Sequence, residues 1–384
     1  MRAERFVQPF ARIDQPLLWS ALLLAMIGMV MVTSASLQIA ETRTGAPFHF
    51  ALRHGIYLAF GLSVGALVYA LVPFALLERL RFLALPAAVF ALLLVFIPGL
   101  GREVNGSLRW ISLAGFTIQP SELAKLFFVM YLAGYISTHR QALQDNWKGF
   151  LMPFVVLALP TFMLLMQPDF GTVVVLGVVS MGMLFLAGVP SRRFLVLALL
   201  LAAAAALIAF AQPYRVARLM SFLDPWADQF GSGYQLTQSL IAFGRGHIFG
   251  VGLGNSVQKL FYLPEAHTDF VYAVLAEEFG LIGNLLLVTV FAILIARIFM
   301  LGARLHARDW LYHAHLVYGV ALVFACQAVI NFGVNTGLLP TKGLTLPFVS
   351  YGGSSLLVSI VMIALVLRAA AELSRAEARE GGRR

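Results

Sequence analysis

Three carboxylates stand within one apolar stretch, residues 267–280, which reads HTDFVYAVLAEEFG. Asp269 lies at its start, and Glu277 and Glu278 follow about two helical turns later. A carboxylate can take a proton from a hydroxyl as a general base, which contributes about 10²–10⁴-fold to a rate. A charge inside an oily helix costs about 2.5–3.5 kcal/mol on insertion scales, so each of these residues needs a function or a partner.

If the stretch is helical, Glu277 and Glu278 lie roughly 12 Å deeper than Asp269 at about 1.5 Å per residue. At about 100° per residue they point about 80° and 180° away from Asp269, so the three side chains do not share one site. We therefore predict that Asp269 is the chemical residue and that the two glutamates make structural hydrogen bonds or ion pairs. The alternative for Asp269 is stabilisation of a helix N-terminus, where a carboxylate is favoured.

Cations that could bind an anion occur in several separate segments. Glu122 and Lys125, in QPSELAK at 119–125, are three residues apart and share a helix face. They form either an ion pair that makes burial tolerable or part of a binding site. Further cations in connecting segments are Arg109, Arg245, Lys259 and Lys342.

The composition identifies the elements that hold these residues. Of 384 residues, 60% are hydrophobic and only 12% are charged. Soluble domains carry about 25% charged residues, so we predict an all-α polytopic membrane protein. The net charge of +9 reflects topology, because Lys and Arg favour cytoplasmic loops, and it does not indicate a nucleic-acid partner. The single cysteine, Cys326, rules out an internal disulfide.

About ten apolar runs are long enough to span a bilayer at about 20 residues per span. They lie near 16–35, 54–77, 82–100, 120–138, 149–166, 170–189, 194–212, 268–300, 311–337 and 353–371. Placing both termini in the cytoplasm puts most Lys and Arg on the inner side. The polar clusters then converge on the outer face, which predicts a polar cavity open to that side.

This topology divides the chain into one domain and two short tails. We predict a cytoplasmic N-terminal tail at 1–14, a transmembrane domain at 15–372 and a cytoplasmic C-terminal tail at 373–384. Two connecting segments are long, residues 101–119 and an extracytoplasmic loop at about 213–267 between the seventh and eighth spans. A loop of that length in a compact domain is usually functional.

Several local patterns lack the context that would give them a function of their own. Gly244-x-Gly246 and Gly252-x-Gly254 follow no strand, so we interpret them as loop and packing glycines rather than a nucleotide fingerprint. The segment SYGGSS at 350–355 has no nucleophile-elbow spacing and is interpreted as a re-entrant turn. The stripe of Gln327, Asn331 and Asn335 is typical of contacts between membrane helices.

Taken in order, the polar segments resemble the SEDS (shape, elongation, division, sporulation) family over roughly residues 15–372. The matching segments are NGSLRWI at 105–111, QPSE at 119–122, QPDFGT at 167–172, GYQ at 233–235, LGNS at 253–256, LPEAHTDF at 263–270, PTKGLTLP at 340–347 and GGSS at 352–355. MVTSAS at 31–36, DPW at 224–226 and GSGYQLTQS at 231–239 resemble the division branch rather than the elongation branch.

The resemblance implies a peptidoglycan glycosyltransferase that acts in cell division. Its substrate would be lipid II, a disaccharide-pentapeptide on undecaprenyl diphosphate, joined into β-1,4 glycan strands at the outer leaflet with release of undecaprenyl diphosphate. The family's essential aspartate falls on Asp269. Implied partners are the nascent glycan strand, a cognate class B penicillin-binding protein (a transpeptidase) and other divisome membrane proteins. The implied location is the bacterial cytoplasmic (inner) membrane, at the septum.

This chemistry agrees with the residue types. Inverting substitution needs one base and no covalent sugar intermediate, so the carboxylate of Asp269 suffices. The diphosphate leaves as an anion and needs positive charge, with or without a divalent cation such as Mg²⁺ or Mn²⁺. A helix N-terminus lowers the pKa of Asp269 while burial or a nearby anion raises it, a balance that the sequence leaves open. The predicted substrate-binding residues are Arg109, Glu122, Lys125, Arg245, Lys259, Lys342 and Ser350.

Two other functions are compatible with a polytopic chain. A lipid II flippase predicts polar residues that continue through the midplane to an inner vestibule, whereas here they thin toward the inner half and no internal repeat is evident. A non-enzymatic divisome scaffold would leave the intramembrane charges unexplained.

Overall fold

The computed structural model describes residues 13–104, 107–113, 116–210, 222–341 and 343–381, and these residues are mainly helical. The helices in the first half are α1 (Gln15–Thr44), α2 (His49–Leu71), α3 (Phe74–Arg79), α4 (Ala84–Leu93), α5 (Pro120–Thr138), α6 (Arg140–Asp145), α7 (Trp147–Met166), α8 (Phe170–Leu186) and α9 (Ser191–Phe210). Those in the second half are α10 (Tyr234–Gly246), α11 (Val271–His306), α12 (Leu311–Asn335) and α13 (Gly353–Gly381).

The helix ends follow local sequence signals. α1 begins after Asp14, whose carboxylate accepts a hydrogen bond from the Leu17 N–H at 3.2 Å, and it ends at Gly45, which adopts a φ of 70°. A short polar residue before a helix and a glycine after it satisfy the backbone groups that the helix leaves free. α5 begins with Pro120, which suits a first helical turn because its missing N–H would have no partner there.

The chain is a multi-pass membrane protein. Among the described residues, six helices are long and apolar enough to cross a bilayer: α1, α2, α7, α11, α12 and α13. The remaining predicted spans coincide with α4, α5, α8 and α9, so the number of ten spans stays a prediction. The centre of the bundle is formed by α11 and α12, which pack against each other and also against α1, α5, α8 and α10.

The connecting segment 101–119, expected from the sequence as a loop, forms a small antiparallel sheet. Its strands are β1 (Gly101–Val104), β2 (Ser107–Leu113) and β3 (Phe116–Ile118), paired in that order. β3 leads directly into α5, so the sheet lies at the N-terminal end of that helix. The large loop also has structure of its own, with α10 and a π-type turn at Gln258–Tyr262.

α11 is broken at Gly280, where φ is 64° and ψ is −158°. Residues 246–252 of the large loop fill the break. Backbone hydrogen bonds of 3.0–3.2 Å join Val251 to Glu277, Gly252 to Glu278, Leu281 to His247 and Ile282 to Ile248. Within a membrane, backbone groups freed from a helix need partners of this kind.

The backbones are close enough at the break to require glycine. A β-carbon at Gly246 would lie 2.0 Å from the Ala276 carbonyl oxygen. A β-carbon at Gly280 would lie 2.4 Å from the Gly250 nitrogen. The packing interpretation made from the sequence is therefore confirmed for Gly246.

Candidate active site

Asp269 lies two residues before α11, at the end of the large loop. Its backbone carbonyl accepts hydrogen bonds from the side-chain amides of Asn331, at 2.9 Å, and Asn335, at 3.1 Å, both on α12. Its carboxylate faces the segment after α12, because a β-carbon at Gly343 would lie 3.1 Å from Asp269 Oδ2. Asp269 is thus placed where the large loop, α12 and the 343–350 segment meet.

A side chain of α12 provides the polar contact to the first turn of α11, and stabilisation of this N-terminus by the charge of Asp269 stays a prediction. The residue preceding α11 is Phe270, and the Ala273 N–H donates to Asn335 Oδ1 at 3.1 Å. The Phe270 side chain makes no capping hydrogen bond to α11.

The electrostatics at Asp269 favour a base that works near neutral pH. The pKa of Asp269 is raised to about 7, chiefly by burial and also by the negative charge of Glu265, while the positive charge of Arg109 opposes the rise. The balance left open by the sequence is thus dominated by burial, because desolvation disfavours the charged carboxylate. A carboxylate with a pKa near the working pH is well suited to accept a proton.

Arg109, on β2, is close enough to Asp269 to lower its pKa. Its Nε donates to the Gln167 carbonyl at 2.9 Å, and its Nη2 donates to the Pro168 carbonyl. These acceptors lie in the turn between α7 and α8 and are uncharged, so the guanidinium keeps its full positive charge at the site. Arg109 both ties the small sheet to the α7–α8 turn and provides a cation beside Asp269.

Glu122 and Lys125 form the ion pair considered from their spacing. Lys125 Nζ lies 2.7 Å from Glu122 Oε1, and both side chains are almost completely buried in α5. Because each charge is matched by the other, the pair is tolerated in the protein interior. Its part in substrate binding stays a prediction.

Arg245 and Lys259 contact the deeper glutamates of α11. Arg245 Nε lies 2.9 Å from Glu277 Oε1, and Lys259 Nζ lies 2.7 Å from Glu278 Oε1. Glu277 also accepts from Ser256 Oγ at 2.5 Å. The two glutamates make the ion pairs and hydrogen bonds predicted for them, and they fasten the large loop to α11. The assignment of Arg245 and Lys259 to substrate stays a prediction.

The segment between α12 and α13 joins several of these elements. Ser350 is buried, and its Oγ accepts a hydrogen bond from the Leu346 N–H at 2.9 Å, which closes a turn. The Tyr351 N–H donates to the His267 carbonyl at 2.9 Å, two residues before Asp269. The Gln119 N–H donates to Ser354 Oγ at 2.8 Å, which connects the start of α5. Lys342, predicted to bind substrate, lies outside the described residues.

Sequence reasoning missed the direct contact of Asn331 and Asn335 with Asp269. It interpreted them as general contacts between membrane helices. The sequence feature that could have indicated this contact is their four-residue spacing at the C-terminal end of α12. The described residues contain no group of three or more His, Cys, Asp and Glu side chains suited to a metal.

Comparison with known proteins supports one family. The protein of Alcanivorax borkumensis named "Probable peptidoglycan glycosyltransferase FtsW" is 68% identical over 367 residues, or 96% of this chain and 95% of that protein. A chain from a structure described as "Structural coordination of polymerization and crosslinking by a peptidoglycan synthase complex" superposes with a TM-score of 0.77 and 28% identity, covering 94% of this chain and 98% of that one.

The crystal structure of the Thermus thermophilus rod shape determining protein RodA superposes with a TM-score of 0.68 and 28% identity, covering 93% of this chain and 96% of that one. Residues 15–375 match the family described as cell cycle protein, FTSW_RODA_SPOVE. The resemblance found in the sequence motifs is confirmed, and the chain belongs to this family.

Proposed function

We propose that this protein is the peptidoglycan glycosyltransferase that polymerises lipid II during cell division, with Asp269 as its general base. The observation that carries the proposal is the environment of Asp269, whose buried carboxylate has a pKa of about 7 beside the cation of Arg109. The peptidoglycan glycosyltransferase name of the Alcanivorax relative supports the reaction class.

The reaction is a substitution at the anomeric carbon of the donor sugar. The acceptor hydroxyl loses its proton to the Asp269 carboxylate as its oxygen attacks that carbon. The bond between the anomeric carbon and the diphosphate oxygen breaks, and the diphosphate takes the electron pair. Attack from the face opposite the leaving group inverts the configuration and gives the β-1,4 linkage, with undecaprenyl diphosphate as the second product.

The leaving diphosphate needs positive charge where its own charge develops. Of the four described cations predicted to bind substrate, Lys125, Arg245 and Lys259 are paired with carboxylates. Arg109 instead contacts neutral carbonyls, so it is the best candidate among them. A Mg²⁺ or Mn²⁺ ion at this site would take diphosphate oxygens as ligands, as Mg²⁺ commonly does with substrate phosphates.

The likeness to a chain from a peptidoglycan synthase complex supports a partner that crosslinks the strands made here. We assign that role to a cognate class B penicillin-binding protein. The proposed location is the cytoplasmic membrane at the septum, with both termini inside the cell, alongside other divisome membrane proteins.

Polymerisation by the full-length protein, with labelled lipid II and with or without its transpeptidase partner, tests the proposal. Asp269→Asn keeps the size of the side chain but cannot accept the proton, so we expect glycan formation to fall by about two orders of magnitude or more. Glu277→Gln and Glu278→Gln, on the same helix, are the controls and act mainly on stability. A folded Asp269→Asn protein that polymerises like the wild type would end the catalytic assignment.

A further inference from the structure

The three polar residues on the α12 stripe have different surroundings. Gln327, Asn331 and Asn335 are all at most 2% exposed. Gln327 Nε2 makes no hydrogen bond within the described part of the chain. Asn331 and Asn335 both direct their side-chain amides to the backbone of Asp269. A role confined to general helix contacts does not explain why both converge on that carbonyl.

Asn335 links Asp269 to the first turn of α11. Its Oδ1 accepts from the Ala273 N–H at 3.1 Å, and its Nδ2 donates to the Asp269 carbonyl at 3.1 Å. One side chain therefore contacts both Asp269, two residues before the helix, and the first turn of α11. Asn335 is itself held, because its carbonyl accepts from Ser239 Oγ of α10 at 2.7 Å.

Asn331 links Asp269 to the segment that follows α12. Its Nδ2 donates both to the Asp269 carbonyl at 2.9 Å and to the Leu344 carbonyl at 2.8 Å. Leu344 follows Gly343, the residue whose backbone approaches the Asp269 carboxylate. A single amide group thus sets the separation between Asp269 and the opposing segment.

We propose that Asn331 and Asn335 are positioning residues. They hold the Asp269 carboxylate at a fixed position relative to the 343–346 segment, where it accepts the proton. This inference rests on the proposed function, since it concerns the same reaction. The link to α11 through Asn335 and the link to the segment after α12 through Asn331 together leave the Asp269 backbone little freedom to shift. Misplacing a reacting group by about 1 Å can cost about 100-fold in rate, so removal of one link acts on the chemical step.

The test is Asn331→Ala in the full-length protein, assayed for polymerisation over a range of lipid II concentrations. We expect kcat to fall about 10- to 100-fold while KM for lipid II changes little. Gln327→Ala is the matched control, equally buried on the same helix face, and we expect its kcat to remain close to the wild-type value. If both alanine variants lose kcat equally, or if folded Asn331→Ala keeps the wild-type kcat, the inference is wrong.

A double-mutant cycle separates positioning from general damage. If Asn331 acts through Asp269, Asn331→Ala costs little further rate in an Asp269→Asn background. An equal loss in both backgrounds overturns the inference. If Asn331→Ala does not fold, Asn331→Leu, which keeps a side chain of similar size but has no donor, carries the same comparisons. Failure of the proposed function gives a different result, because Asp269→Asn alone would then keep full activity.

Discussion

The pKa of Asp269 predicts an acid limb in the pH profile of polymerisation. This pKa is raised from 3.8 to about 7, chiefly because the carboxyl group is buried, and only the ionised form can accept a proton. The ionised fraction falls about tenfold per pH unit below the pKa, so kcat/KM at pH 5 should be roughly 100-fold below its plateau. A carboxyl group with its ordinary pKa of 3.8 would give a nearly flat profile from pH 5 to 8.

Part of the rise in the pKa of Asp269 comes from a neighbouring negative charge, which a substitution can remove while Asp269 stays buried. Glu265 raises the pKa of Asp269 by like-charge repulsion, so Glu265→Gln should move the midpoint to lower pH. Glu380→Gln also removes one carboxylate, but at the opposite end of α13 from the site, and should leave the midpoint in place. The assay is the initial rate of glycan formation at low lipid II concentration from pH 5 to 9. A midpoint below about pH 5, or no shift in Glu265→Gln, would refute the reasoning.

Three further predictions concern stability. Because the pKa of Asp269 is raised on folding, its stabilising contribution is complete below pH 3.8 and is lost as the pH rises to about 7. Asp269→Asn should therefore raise the free energy of unfolding at pH 8 by up to about 4 kcal/mol, with a smaller gain in thermal stability at pH 5. Lys125→Met should lower folded yield by stranding the buried Glu122 charge, and adding Glu122→Gln should restore it. Gly280→Ala should lower the melting temperature because of its positive φ and close backbone contacts, whereas Gly177→Ala, with open space around it, should not.

The sequence predicted the helices well because apolar length is a local property. Each predicted span overlaps a helix, but 54–77 covers both α2 and α3, α1 ends at Thr44 rather than at 35, and α13 ends at Gly381 rather than at 371. The break in α11 was not predicted, since Gly280 sits in an apolar run like many other glycines. What requires glycine there is the backbone of residues 246–250, whose approach depends on the folded arrangement.

The site was also predicted only in part, because motifs and local spacing can be read from the sequence but contacts between distant residues cannot. The motifs identified Asp269, and the Glu122–Lys125 pair followed from helical spacing. Charge alone grouped Arg245 and Lys259 with the substrate, whereas in the fold both contact glutamates of α11. Their partners lie 32 and 19 residues along the chain, beyond the reach of helical periodicity.

The break at Gly280 divides α11 into two helical segments. The first segment, Val271–Phe279, is joined to the large loop by two ion pairs and by the backbone hydrogen bonds at the break. The second segment, from Leu281 onward, packs against the other helices of the bundle. The large loop is therefore joined directly to the segment of α11 that begins two residues after Asp269. We expect a protein that binds the large loop to act on the position of Asp269 through these contacts.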